Sequence, residues 1–368
     1  MVKKQFIRLG KCLAVLLPVI LIVSFLQSTL FSHVDHCTER IRYFYQEEED
    51  SLDVVLLGAS EVYADYSPVL AYERFGITSF GYTQDSNPGS LYKYQVREIL
   101  SRQSPQVLLV EINGFLYPKD TYQYNEARLR VFTESIPMSR NKLEAIWEFP
   151  GADRLSCLIP FIKYHGDWSN PDVLQERVEW RTYTRNTPSP LKGFRTWSLI
   201  DTAEPELAYQ PDPDPKIAED ELIEFLEFCR EEGIDNIVFI RFPHKNSGVL
   251  APRVERIAKI IEQYGYPFVS TEDAAGEMEL DYLHDFYNRE HLNIYGVAKF
   301  TVYLGNYLVE DLGVTPREQS PENRQRWEAC IPYHHALYAY VDSLIQNKTR
   351  FNFIEKPAHI ELLDITEK

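Results

Sequence analysis

Paired cysteines, a phosphate loop and an excess of positive charge are all missing from this chain. Each absence removes a class of function. The five cysteines, Cys12, Cys37, Cys157, Cys229 and Cys330, stand far apart. None forms a C-x-x-C pair, which excludes a zinc-knuckle or thioredoxin signature. So odd and sparse a set leaves room for one incidental bridge and no disulfide framework. No stretch reads GxxxxGK[ST], so there is no Walker-type phosphate cradle. Lys and Arg number 38 against 55 Asp and Glu, a net charge of −17. A nucleic-acid partner needs a basic face to neutralise its phosphates, so none is expected. Internal repeats and low-complexity tracts are absent too, and no motif calls for a cofactor or a metal.

With 368 residues, 44% of them hydrophobic, the chain is long enough for one large domain or two small ones with a full core. Its clearest address is the N-terminus. Lys3, Lys4, Arg8 and Lys11 precede an uncharged apolar stretch from Cys12 to about Phe31. That approaches the ~20 residues needed to cross ~30 Å of hydrocarbon. The basic flank predicts a cytoplasmic N-terminus and a single-pass membrane protein with its main domain outside the cytoplasm. A cleaved signal peptide is the rival reading, although no small-x-small site follows the run. Residues 1–35 thus read as cytoplasmic flank and anchor, and the charged segment 36–52 as a stalk or a first helix.

From residue 53 an α/β rhythm begins. Apolar runs at 53–58, 77–81, 106–112, 236–242 and 266–270 read as strands. Helical stretches at 67–75, 89–102, 216–233 and 251–264 lie between them. Strands that alternate with helices imply a parallel sheet with right-handed crossovers. Ser67-Pro68 supplies a cap followed by proline at the first helical position, and Gly233 a stop. An insertion at 114–215, rich in aromatics and arginine, is too long for a plain connection. It reads equally as a lid or as a helical cover. Residues 293–311 carry apolar positions at helical steps and close a domain spanning 53–312. The extension 313–368 holds one more helical stretch, near 322–346, and no motif.

In an open α/β sheet, ligands sit beyond the carboxyl ends of the strands. The first run stops at Gly58-Ala59, and Ser60 follows. The second leads into GYTQDSNPG, with Gly81 and Asn87; the third ends in Glu111, Asn113 and Gly114. A serine hydroxyl becomes a nucleophile when a neighbouring base takes its proton, and the oxyanion that forms needs N–H donors. His291, in NREHLNIYG just ahead of a helix, is the base candidate. Each signal also has a plain structural explanation: a Gly-x-Ser turn, a histidine cap, a solvated carboxylate. Glu61 with Glu111 as a carboxylate pair, and His284 with His291, Asp281 and Asp285 as a metal cluster, are weaker readings. His334 and His335 read as surface.

Taken together, GASE, the loop with Gly81, the Asn113 turn and DFYNREHLNIYG resemble the SGNH/GDSL hydrolase superfamily. The nearest likeness is to its membrane-anchored, DltD-like members, which accompany membrane-bound O-acyltransferases. The resemblance covers about residues 50–312. It implies a three-layer flavodoxin-like parallel sheet in which Ser60 is the nucleophile and His291 the general base. The Ser60 amide, Gly81 and Asn113 would be the oxyanion donors. The family often places aspartate three residues before the histidine, where this chain has Asn288. Asp285, six residues before, is the substitute if the loop folds back. A serine–histidine dyad oriented by a carbonyl is the other option. The expected function is an extracytoplasmic serine esterase or O-acyltransferase acting on a cell-surface polymer, anchored through residues 12–31. The alternatives are a weakly catalytic or non-catalytic partner of a membrane-bound acyltransferase, and a secreted esterase cleaved near residue 35.

Overall fold

The computed structural model describes residues 2–27, 36–118, 122–186, 189–212 and 217–349. The five apolar runs become β1 (Val54–Gly58), β2 (Ser79–Thr83), β3 (Val107–Glu111), β4 (Ile237–Arg241) and β5 (Phe268–Ser270). All pair in parallel, in the order β2-β1-β3-β4-β5. The described helices are α1 (Val2–Leu26), α2 (His36–Phe44), α3 (Ser60–Asp65), α4 (Pro68–Phe75), α5 (Tyr92–Leu100), α6 (Glu126–Ser135) and α7 (Arg140–Glu148). They continue with α8 (Arg154–Leu158), α9 (Pro160–Tyr164), α10 (Pro171–Asn186), α11 (Glu219–Glu231), α12 (Ser247–Gln263), α13 (Ile294–Asn306) and α14 (Pro321–Gln346).

The strands are apolar on both faces because both faces are covered. Along β1, Val55 and Leu57 enter one core with α2, α5, α6, α11 and α12. Val54 and Leu56 enter the other with α3, α4, α13 and α14. This two-residue alternation sorts one strand between two layers. Each large aliphatic or aromatic side chain buried there contributes roughly 1.5–3 kcal/mol.

Local signals set the helix ends. Ser67 Oγ accepts from the Leu70 amide at 3.3 Å with Pro68 behind it, and Gly76, at φ 73°, closes α4. Asn293 caps α13 by accepting from the Tyr295 amide at 3.0 Å.

Three expectations change. β2 begins two residues later than read and runs to Thr83, so Gly81 lies inside the ladder, opposite Leu56. Segment 36–44 is the first-helix alternative, not a stalk. Ile41 and Phe44 of α2 are fully buried, and the Phe44 ring packs on Phe80 and Tyr82 at 5.6 and 5.0 Å. The extension joins the second layer, where α14 buries Leu337 and Val341. His334 is buried rather than superficial, its Nε2 2.9 Å from Ser67 Oγ. The insertion holds α6–α10 and is mostly helical.

All five cysteines are free thiols. Among the described residues no helix is long and apolar enough to cross a membrane. The expected span, 12–31, runs partly outside the described residues.

Candidate active site

The strand order reverses between β1 and β3, and in such sheets that switch point opens a crevice at the carboxyl ends. Gly58 ends β1 there. A Cβ at this position would stand 2.5 Å from Val62 Cγ2 and 2.8 Å from Glu111 Cβ. Only glycine lets the chain turn so tightly under α3. Ser60, half-buried, is the first residue of that helix, so its amide has no intrahelical acceptor. Its hydroxyl makes a long hydrogen bond, 3.5 Å, to Glu61 Oε2.

His291 arrives from the loop between β5 and α13. An antiparallel bridge, Phe286 to Leu292, folds this loop into a narrow turn. Gly296 lets α13 close on it, because a Cβ there would lie 2.3 Å from the Asp285 carbonyl. Inside the turn Asn288 Oδ1 accepts from the amides of Glu290 and His291, both at 2.8 Å, and from His291 Nδ1 at 3.0 Å. A carbonyl-type acceptor at Nδ1 places the ring proton there and leaves the lone pair on Nε2. Nε2 is buried and has no hydrogen-bond partner. Burial holds the ring's pKa below the usual histidine range, with the nearby Glu61 charge opposing that shift.

Two contacts dock this loop on α3. The Leu292 amide donates to Asp65 Oδ1 at 2.8 Å. Trp197, carried in by the insertion, lies 6.1 Å from the Tyr63 ring and 5.7 Å from His291, and it stacks on Tyr287 at 4.7 Å. Ser60 and His291 therefore share one rim, on and against the same six-residue helix.

The remaining expected site residues fare differently. Asp285 is fully buried and turned away from His291. Its oxygens meet Lys299 Nζ at 2.7 Å, the Asp281 amide at 2.8 Å and His284 Nδ1 at 3.0 Å. It braces the loop from behind, and Asn288 is the residue on the His291 ring. Gly81, inside β2, is removed from the loop where an oxyanion donor was expected. Asn113 is at the site, but its amide donates to Glu61 Oε1 while its oxygen accepts from Arg241 Nη1 at 3.1 Å. Asn87 is likewise engaged, donating to the Gly58 carbonyl and Gln95 at 2.9 Å.

Beneath Ser60 lies a buried charged cluster that the motifs did not announce. Arg241 ends β4 fully buried, with Nε 3.1 Å from Glu272 Oε1 and Nη1 3.6 Å from Glu111 Oε1. His244 places Nε2 3.6 Å from Glu61 Oε1 and Nδ1 3.3 Å from Glu272 Oε1. Burial and Arg241 oppose protonation of His244, but the carboxylates of Glu272 and Glu61 outweigh them and lift its pKa to about 9. Burial, reinforced by the Glu61 charge, pushes Glu111 up to about 8. Arg241 did leave a signal in the sequence: a charged residue inside a strand buried on both faces needs a partner. His244 and Glu272, in loops, left none.

Among the described residues, two groups bring three metal-ligating atoms within 4.8 Å of one another: His36, Cys37 and Asp85, and Glu73, His334 and His335. In the first, Asp85 already accepts from Tyr63 at 2.5 Å, and the Arg40 guanidinium lies 3.9 Å from Cys37 Sγ, where it would compete with a cation. Neither group includes His291.

Fold and site together define a class: an α/β protein on a five-stranded parallel sheet, with serine, histidine and a buried ionic cluster at the strands' carboxyl ends. No family model matches the chain, and no curated protein is significantly similar to it.

Proposed function

We propose that this protein is a serine ester hydrolase or O-acyltransferase of the flavodoxin-like SGNH type, working outside the cytoplasm on acyl groups of a cell-surface polymer. The observation that carries this reading is the state of His291: a neutral ring, oriented by Asn288, with its lone pair buried and unpartnered beside the helix that begins at Ser60. A buried acceptor atom without a donor costs free energy, and active sites are where such a cost persists.

In the reaction, Ser60 Oγ gives its proton to His291 Nε2 as it forms a bond to the acyl carbon, and the carbonyl electrons move onto oxygen. The C–O bond to the leaving alcohol then breaks, and the imidazolium returns the proton to that oxygen. Water or a polymer hydroxyl repeats the sequence on the acyl-enzyme. The Ser60 amide is the oxyanion donor this reading retains.

An N-terminal anchor belongs to the same proposal. Side chains of α1 from Leu13 to Phe25 are exposed, and an anchor would hold the site beside a membrane-bound acyl donor. A fluorophosphonate probe tests the chemistry: the wild type should be labelled and Ser60→Ala should not. An unlabelled wild type would favour the second reading, a non-catalytic partner of a membrane-bound acyltransferase. That reading is supported by Asn288 standing where a carboxylate is usual and by the Asn113 amide being engaged with Glu61.

A further inference from the structure

Asn288 orients His291 but carries no charge, so the proposed mechanism lacks the anion that ordinarily stabilises the imidazolium. In trypsin, exchanging the triad aspartate for asparagine costs ~10⁴ in turnover. Four carboxylates lie below the rim, and their partners distinguish them. Asp65 takes the Leu292 amide at 2.8 Å, and burial pushes its pKa well above the usual carboxylate range, so it is not an anion. Glu272 is held between Arg241 and His244, at 3.1 and 3.3 Å. Glu111 accepts from the Asn113 backbone amide at 2.8 Å and lies 3.6 Å from Arg241. Glu61 is different. Its Oε1 takes the Asn113 side-chain amide and faces His244, while its Oε2 faces Ser60 Oγ at 3.5 Å.

We propose that Glu61 is the positioning residue that replaces the missing triad carboxylate, its anion lying beneath the serine rather than behind the histidine. This rests on the esterase reading above. Asn113 and His244 keep Glu61 ionised despite complete burial, so it presents a fixed negative charge to whichever group beside it becomes positive. That group is His291, whose loop docks on the helix that carries Glu61 through the Leu292–Asp65 hydrogen bond at 2.8 Å, and the Glu61 charge favours its protonation. The other charges around the ring are Glu290 on its own loop and Asp85 after β2, which favour protonation, and His244, which opposes it. Arg195 of the insertion stands over Trp197, 5.3 Å from its ring centre. In the resting state Glu61 also orients the serine hydroxyl. As the proton moves to Nε2, the pair becomes carboxylate and imidazolium.

The test is the titration of His291, followed by NMR in protein carrying labelled histidine and assigned with His291→Gln. In the full-length Glu61→Gln variant the His291 pKa should fall by roughly one unit, because an attractive charge is lost. The acid limb of the labelling rate should move to lower pH with it. Adding Asn288→Asp to that variant should raise the pKa again and recover labelling. An unchanged His291 titration in a folded Glu61→Gln variant overturns the proposal. Should that variant not fold, Asn288→Asp alone decides. It should speed labelling less than about tenfold, since the charge is already supplied, whereas a gain near the ~10⁴ of the trypsin case shows that Glu61 supplies nothing. If the wild type is not labelled at all, the esterase reading falls, while the NMR titration still reports whether Glu61 and His291 are coupled.

Discussion

His291 and His244 both lie near Glu61, yet their surroundings drive them to opposite protonation states. His291 has a neutral amide oxygen at Nδ1 and nothing at Nε2, and burial keeps it uncharged. His244 lies between Glu61 and Glu272, and despite even deeper burial their carboxylates hold it protonated to about pH 9. Two imidazoles near one carboxylate thus stand in two states, one neutral with a free lone pair and one a cation that fixes a carboxylate. Environment makes that assignment, since the ring chemistry is the same.

The sharpest way to break the comparison is to remove the base. His291→Gln should reduce fluorophosphonate labelling by about 10⁴-fold or more, as loss of the base does in serine hydrolases. The corresponding change at His244 should act through stability and through Glu61. Equal losses of labelling from two well-folded variants would erase the distinction.

The next effect concerns the cluster itself. Arg241→Met leaves Glu272 and Glu111 buried with a cation missing between them. Breaking a buried ion pair from one side typically costs about 3–5 kcal/mol, which chemical denaturation would read. A loss under about 1 kcal/mol would mean that the cluster does not hold the strand ends together.

How much of this was legible beforehand follows from what each residue depends on. Ser60 could be placed because an apolar run stops at Gly58-Ala59, and where a strand ends is a local event. The start of α13 was legible from apolar positions at helical steps beginning near residue 293, which is also local. Gly81 lies within β2 rather than at its end because the strand's extent is set by pairing with β1, whereas the sequence offers a glycine followed, after Tyr82, by the polar Thr83-Gln84-Asp85 as a local stop. The choice between Asp285 and Asn288 depends on how one loop folds onto α3, through the Leu292–Asp65 bond and the Trp197 stack. Both contacts join residues far apart in the chain. His244 and Glu272 were invisible because neither sits in a periodic element, and only the sheet brings them together.

The pH dependence of stability separates the two histidines further. His244 has a folded pKa of about 9, above the ~6.5 of an unfolded histidine. Its contribution is therefore complete below about pH 6.5 and is lost as pH rises through about 9, on the order of 3 kcal/mol in all. His291 has the opposite sign: its folded pKa is depressed, so acidification below the unfolded value costs stability. Glu111, raised to about 8, adds a loss of the same sign as that of His244, complete near that pH. Denaturation midpoints should therefore fall on alkalinisation in the wild type, and the part of the fall above about pH 8 should disappear in His244→Gln. A wild-type profile already flat between those values would mean that His244 is not protonated in the fold.

The smallest effect should come from Asp285→Asn, and its smallness is informative. The variant keeps an acceptor for the Asp281 amide and loses the charge facing Lys299, whose side chain is partly exposed and can rehydrate. Stability should drop by about 1 kcal/mol. Labelling of the folded protein should stay within about threefold of wild type, because a brace behind the loop moves the ring little while Asn288 still holds Nδ1. Asn288→Ala, which removes that acceptor and two amide contacts of the turn, should slow labelling by roughly 10–100-fold. If the two variants exchanged these outcomes, the carboxylate six residues before the histidine would be the orienting group after all. The turn would then have to open during catalysis to let Asp285 reach the ring.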